Sequence, residues 1–185
     1  FDMSYAYSIF PNGGMRSDPS YIEYITDQRK TGSGQRWSGW PSIKILDEDT
    51  AYIMVDLMKA VVQQGTGRKA KDFPFTDDEV KAMKKDERAE KLKNHRIVAG
   101  KTGTSTDFRD AWFIGYTTDL LCGIWVGRDD FTPIGFDATG GKVSLPIWMD
   151  IMAEAHPDTP PGDWTAPDSV DMKYIDLATR HEMSP

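Results

Sequence analysis

Two periods of apolar residues divide this chain into alternating elements. Met3 to Phe10 reads as the end of a helix, stopped by the turn-forming run Pro11-Asn12-Gly13-Gly14. Tyr21 to Thr26 is rich in β-formers, Thr31 to Gly34 bends, and Ser42-Ile43-Lys44-Ile45-Leu46 reads as a returning strand, together a hairpin. Asp49 or Thr50 then caps a helix whose apolar stripe is Ile53, Met54, Leu57, Met58, Val61 and Val62. Gly65-Thr66-Gly67 ends it. Three closely spaced strands follow: Ile97 to Ser105, Ala111 to Tyr116, and Leu120 to Gly127 after the turn Thr117-Thr118-Asp119. Such short connections imply antiparallel pairing. The second and third strands are apolar on both faces, so helices should cover both. A last helix starts at Ser144 or Leu145 and reaches about Ala155, with the stripe Ile147, Trp148, Ile151, Met152 and Ala155. Pro157 stops it, and the Pro/Asp-rich remainder reads as an extended tail packed on the body through Trp164.

One segment departs from these apolar periods. Thr76 to Lys93 opens with Asp77, Asp78 and Glu79 and ends in lysines and an arginine, matching the helix dipole. Thr76 with Glu79 fits a capping box. The charge pattern reads as a solvated surface helix, with a contact site as the other reading. The net charge of −7 disfavours nucleic acid, whose phosphates call for basic patches. No apolar run approaches the ~20 residues that cross a bilayer. The single cysteine, Cys122, lies in an apolar strand, is read as a core thiol, and excludes an internal disulfide.

Several stretches imitate cofactor motifs without their context. Gly100-Lys101-Thr102 lacks the earlier glycine of a phosphate loop, since His95 occupies that position, and a strand continues where a helix should start. Gly65-Thr66-Gly67-Arg68-Lys69-Ala70 matches a dinucleotide fingerprint formally, but it follows a helix instead of a strand. His95, His156 and His181 lack metal-ligand spacing, and Asp129-Asp130 reads as a solvated turn. No metal or cofactor is expected.

Lys101-Thr102-Gly103-Thr104 carries more chemistry. An extended peptide adds to an exposed strand edge through main-chain hydrogen bonds. Gly103 permits close backbone approach, Thr102 and Thr104 offer hydroxyl donors to a carboxylate, and Lys101 adds positive charge. A backbone N–H there also suits a developing oxyanion. The triplet alone is weak, and an ordinary exposed strand is the plain alternative.

Its surroundings strengthen it. Tyr5 to Gly14, Val61 to Ala70, Ala99 to Thr104, Arg109 to Tyr116, Gly123 to Gly127, Ala138 to Gly141 and Pro146-Ile147-Trp148 together resemble, in order, the class A (bifunctional) penicillin-binding proteins. The resemblance implies an α+β fold: the C-terminal portion of the serine β-lactamase/penicillin-binding transpeptidase fold, an antiparallel sheet flanked by helices. It places a C-terminal part of the transpeptidase domain at 1–156, with a charged insertion near 74–93, and a tail at 157–185. It implies a D,D-transpeptidase in which a serine attacks the penultimate D-Ala carbonyl of a peptidoglycan stem peptide and β-lactams mimic the donor. Carried over by position, Lys101 bonds the serine of the second motif, Thr102, Gly103 and Thr104 bind the donor carboxylate, and the Thr104 N–H forms half the oxyanion hole. A glycosyltransferase domain, a membrane anchor and an extracytoplasmic location are implied for the parent protein.

The family's Ser-x-x-Lys and Ser-x-Asn motifs occur nowhere in these 185 residues. The chain should therefore supply the substrate strand without the nucleophile and be inactive alone. A companion segment with both motifs should cover the sheet's unpaired backbone and apolar surface. The alternative is a non-catalytic peptidoglycan- or partner-binding module.

Overall fold

The computed structural model describes residues 1–20, 24–26, 34–36, 41–93, 95–156, 159–175, 179 and 182–183. The first helix, α1 (Asp2–Tyr7), ends in turns at residues 8–14, where Gly13 and Gly14 take positive φ. Two small antiparallel pairs follow. β1 (Met15–Arg16) pairs with β4 (Ile43–Lys44), and β2 (Tyr24–Thr26) pairs with β3 (Gly34–Arg36). The returning strand at 42–46 thus meets Met15 and Arg16, while Tyr24–Thr26 pairs with Gly34–Arg36; Tyr21, Ile22 and Glu23 of the expected hairpin lie outside the described residues. Gly14 makes this possible: its carbonyl accepts the amides of Ile45 and Leu46, and a Cβ there would strike the Leu46 carbonyl.

Helix α2 (Glu48–Gln63) starts one residue after Asp47 and is terminated at Gly65-Thr66-Gly67, where the amides of Gly65 and Gly67 both close on the Val61 carbonyl. Its buried stripe is Ala51, Val55, Met58 and Val62. Ile53 and Leu57, read from the sequence as core, lie outside at 49% and 57% exposure. The charged segment forms two helices, α3 (Asp77–Ala82) and α4 (Lys85–Leu92), because Met83 takes an extended conformation between them. The capping box forms: the Glu79 amide donates to Thr76 Oγ1 at 3.3 Å, and the Thr76 amide donates to Glu79 Oε2 at 2.8 Å.

The central sheet has the order β5 (Ala99–Thr104), β6 (Asp110–Tyr116), β7 (Leu121–Gly127), all antiparallel. Helix α5 (Ser144–Ala155) packs on β6 and β7, and α2 packs along β5. Trp148 of α5 anchors the first core cluster. Its ring meets Phe113 edge-on at 5.3 Å and Phe73 at 5.4 Å, and its indole N–H donates to the carbonyls of Gly115 and Cys122. This satisfies the one polar atom the buried ring carries. Cys122 packs against this cluster half-buried, and burial raises its thiol pKa.

The second cluster joins Val55 and Met58 of α2 to Ala99 and Tyr116. Burial, and secondarily the nearby Tyr7, hold the Tyr116 phenol protonated far above its ordinary range. Trp164 from the tail closes this cluster, edge-on to Tyr116 at 5.6 Å, while Asp163 pairs with Lys59 at 2.8 Å. Among the described residues no helix is long and apolar enough to cross a membrane.

Candidate active site on the edge strand

Strand β5 has β6 on one side and no strand partner on the other among the described residues. Just beyond its end, the Ser105 amide donates to the Asp110 carbonyl at 3.0 Å. In an antiparallel ladder the direction of the backbone groups alternates with each residue. Odd-numbered residues of β5 therefore bond toward β6, while the N–H and C=O groups of Gly100, Thr102 and Thr104 point to the open side. Lys101 Nζ agrees with this parity, reaching the Thr102 carbonyl oxygen at 2.7 Å.

Side chains alternate as well, now between the two faces. Thr102 lies opposite Phe113 and Thr104 opposite Ala111, on the face covered by α5. Lys101 lies opposite Ile114 and Gly103 opposite Trp112, on the other face. There Met3 and Tyr7 of α1, with Lys101, Thr102, Gly103, Trp112 and Ile114, line a hollow of about 260 Å³. The cation and the hydroxyls thus flank one open edge from opposite faces. Gly103 keeps the strand low: a Cβ there would come within 3.1 Å of the Trp112 Cβ.

Each threonine is held by a separate loop. Thr104 Oγ1 accepts the Gly140 amide at 3.1 Å, and Thr102 Oγ1 lies 2.5 Å from Thr66 Oγ1. A hydroxyl that only accepts from a loop keeps its own proton for a ligand. Gly140 and Gly141 bring the loop before α5 this close. A Cβ on Gly140 would collide with the Trp112 carbonyl, and one on Gly141 would sit 2.5 Å from the Thr66 carbonyl oxygen. The sequence assigns Thr66 and Gly140-Gly141 no chemical role of their own, marking them as turns within the segments that carry the resemblance. The structure brings both against β5.

The stretches set aside as cofactor motifs behave as turns and strand. Gly67 leads into a single 3-10 turn, Arg68–Ala70, and Gly100-Lys101-Thr102 is mid-strand. Asp130 accepts the side-chain O–H and then the amide of Thr132, which hold its carboxyl below the usual range. No cluster of metal-ligating side chains occurs among the described residues.

The family model described as the penicillin binding protein transpeptidase domain matches residues 1–153. The chain belongs to the penicillin-binding protein transpeptidase family. It is 35% identical over 175 residues to penicillin-binding protein 1A of Rickettsia typhi, covering 94% of this chain and 22% of that protein. It is 34% identical over 145 residues to penicillin-binding protein 1A of Pseudomonas aeruginosa, covering 78% of this chain and 15% of that one. The chain thus spans about a fifth of the length of these relatives. The crystal structure of penicillin-binding protein 1A from Haemophilus influenzae superposes with a TM-score of 0.75 at 21% identity, over 100% of this chain and 30% of that one, a likeness of fold. Lys101-Thr102-Gly103 lies on β5, inside the matched residues.

Proposed function

We propose that this chain supplies the substrate strand of a serine D,D-transpeptidase that cross-links peptidoglycan stem peptides and is acylated by β-lactams. The observation that carries the reading is the open edge of β5, where a lysine, two loop-held hydroxyls and an outward amide converge beside a hollow. In the proposed chemistry a serine Oγ, losing its proton, bonds to the penultimate D-Ala carbonyl carbon. The peptide C–N bond breaks, and the terminal D-Ala leaves as its amine with a proton added. The acyl group then passes to an amine of a second stem. Lys101 positions the hydroxyl of the second motif for proton transfer. Thr102 and Thr104 hold the donor carboxylate, and Gly103 lets the peptide backbone approach. The Thr104 N–H stabilises the tetrahedral oxyanion as one of two donors, a type of interaction worth about 3–4 kcal/mol per donor.

The nucleophile in this proposal lies on a companion segment bearing Ser-x-x-Lys and Ser-x-Asn, because neither motif occurs in these 185 residues. The apolar surface left on α2 at Ile53 and Leu57, and on α5 at Ile147 and Ile151, supports such a partner. The complete protein is proposed to work on the extracytoplasmic side, anchored by a segment outside this chain. The 185-residue chain alone is inactive.

Fluorescent penicillin tests this. The complete protein is expected to become covalently labelled, at a residue outside 1–185, and the isolated chain to stay unlabelled. A label on Ser105 or Ser33 would overturn the division of roles. A complete protein that binds stem peptide without ever acylating would instead be a binding module.

A further inference from the structure

Thr66 lies outside the Lys-Thr-Gly strand, on the turn that ends α2, yet its hydroxyl oxygen is 2.5 Å from that of Thr102. We propose that Thr66 is a positioning residue for carboxylate recognition: its O–H donates to Thr102 Oγ1 and thereby turns the Thr102 proton outward to the carboxylate of the acyl donor. This rests on the reading of Thr102 as a carboxylate-binding residue.

Three observations support it. First, two hydroxyls in contact need one donor between them. If Thr66 donates, the Thr102 proton is left free; if Thr102 donates, its proton is spent on Thr66. A carboxylate on the open side selects the first arrangement, because it accepts but cannot donate. Chained donors also polarise one another and strengthen the terminal bond.

Second, Thr66 is built into place from both sides. Gly65 and Gly67 close on the Val61 carbonyl, and a Cβ on Gly65 would crowd that oxygen at 2.8 Å. The Thr66 carbonyl lies against Gly141, in the same loop whose Gly140 amide holds Thr104. The loop before α5 therefore touches the support of both carboxylate-binding hydroxyls. Third, a threonine on an exposed turn has no packing requirement for its hydroxyl, since Thr66 is exposed and buries no polar atom that needs a partner. Its hydroxyl matters through Thr102.

The test uses the complete protein and two acylating agents, a penicillin with its free carboxylate and the methyl ester of the same penicillin. For each variant the ratio of the two acylation rate constants is read, which cancels any loss of active protein. Thr66→Val should lower the free-acid rate about five-fold while changing the ester rate less than about two-fold, the size expected of one hydrogen bond between neutral groups, here the one that orients Thr102. Thr66→Ser should restore the wild-type ratio. Equal losses on both agents, or a Thr66→Ser ratio no better than that of Thr66→Val, would overturn the proposal. Thr102→Val separates the two levels. If it too leaves the ratio unchanged, the carboxylate site itself is misassigned. If it collapses the ratio while Thr66→Val does not, only the role of Thr66 fails.

Discussion

Lys101 and Thr104 lie on the same edge, and the roles proposed for them are separable by single substitutions. Lys101 reaches the open side through its side chain, bonding the Thr102 carbonyl, whereas the outward amide of Thr104 belongs to the backbone. Lys101→Ala in the complete protein removes the cation and should slow acylation about 100-fold or more, the lower range for loss of a positioned proton-transfer group. Thr104→Ala keeps the amide and removes one hydroxyl, so a loss of about ten-fold, mostly in apparent affinity, is expected. Stopped-flow acylation rates check this, and equal losses would contradict the division. The placement of Lys101, Thr102 and Thr104 on one strand is legible in the sequence because it depends on residue type within one run. The contact of Thr66 with Thr102 is not, because it depends on a fold that brings position 66 to position 102.

At the scale of elements, the strands were easier to read than the helix faces. β5, β6 and β7 follow their apolar runs within one or two residues, since both neighbours of β6 are local in sequence. The helix stripes are harder to read, because periodicity alone does not say which of two adjacent apolar rows meets the sheet. Ile53 and Leu57 fit the apolar period of α2 as well as Val55 and Met58 do, yet they face outward. The 42–46 strand does not close the hairpin expected of it because β2 takes β3 as its partner, and the Gly14 turn, at positive φ, brings Met15 and Arg16 against Ile43 and Lys44. The break at Met83 has no proline or glycine to announce it.

The capping box, by contrast, was readable and has a pH consequence. The backbone amide of Thr76, and then its hydroxyl, hold the Glu79 carboxyl below the usual range. A depressed carboxyl stabilises the folded helix above its unfolded pKa and loses that contribution as pH falls through the folded value. Hydrogen exchange, corrected for intrinsic rates, should show α3 less protected near pH 3 than near pH 6. Glu79→Gln should flatten that dependence, and unchanged protection in the wild type would contradict the cap.

For the whole molecule, the exposed apolar positions form a coherent set. Ile147 and Ile151 are 41% and 45% exposed, one helical turn apart on α5, as Ile53 and Leu57 are on α2. Trp125 of β7 is also 45% exposed, although its indole N–H is held by Asp110 at 2.9 Å. Two helices that offer such pairs on the flanks of one three-stranded sheet give the proposed companion segment apolar surface to cover. The isolated 185 residues should therefore self-associate or melt without cooperativity in size-exclusion and calorimetric measurements. A monodisperse, cooperatively melting 20.8 kDa monomer would contradict this.

The central claim is that residues 99–104 form the rim of a peptide-accepting groove completed by a serine from outside this chain. A crystal structure of the complete protein acylated by a penicillin tests it most directly. The account predicts the acyl carbonyl oxygen within hydrogen-bond distance of the Thr104 N–H, the carboxylate against the hydroxyls of Thr102 and Thr104, and the ester bond on a serine beyond residues 1–185. An acyl group bound away from this edge, with Lys101 and Thr104 contacting neither ligand nor serine, would contradict it.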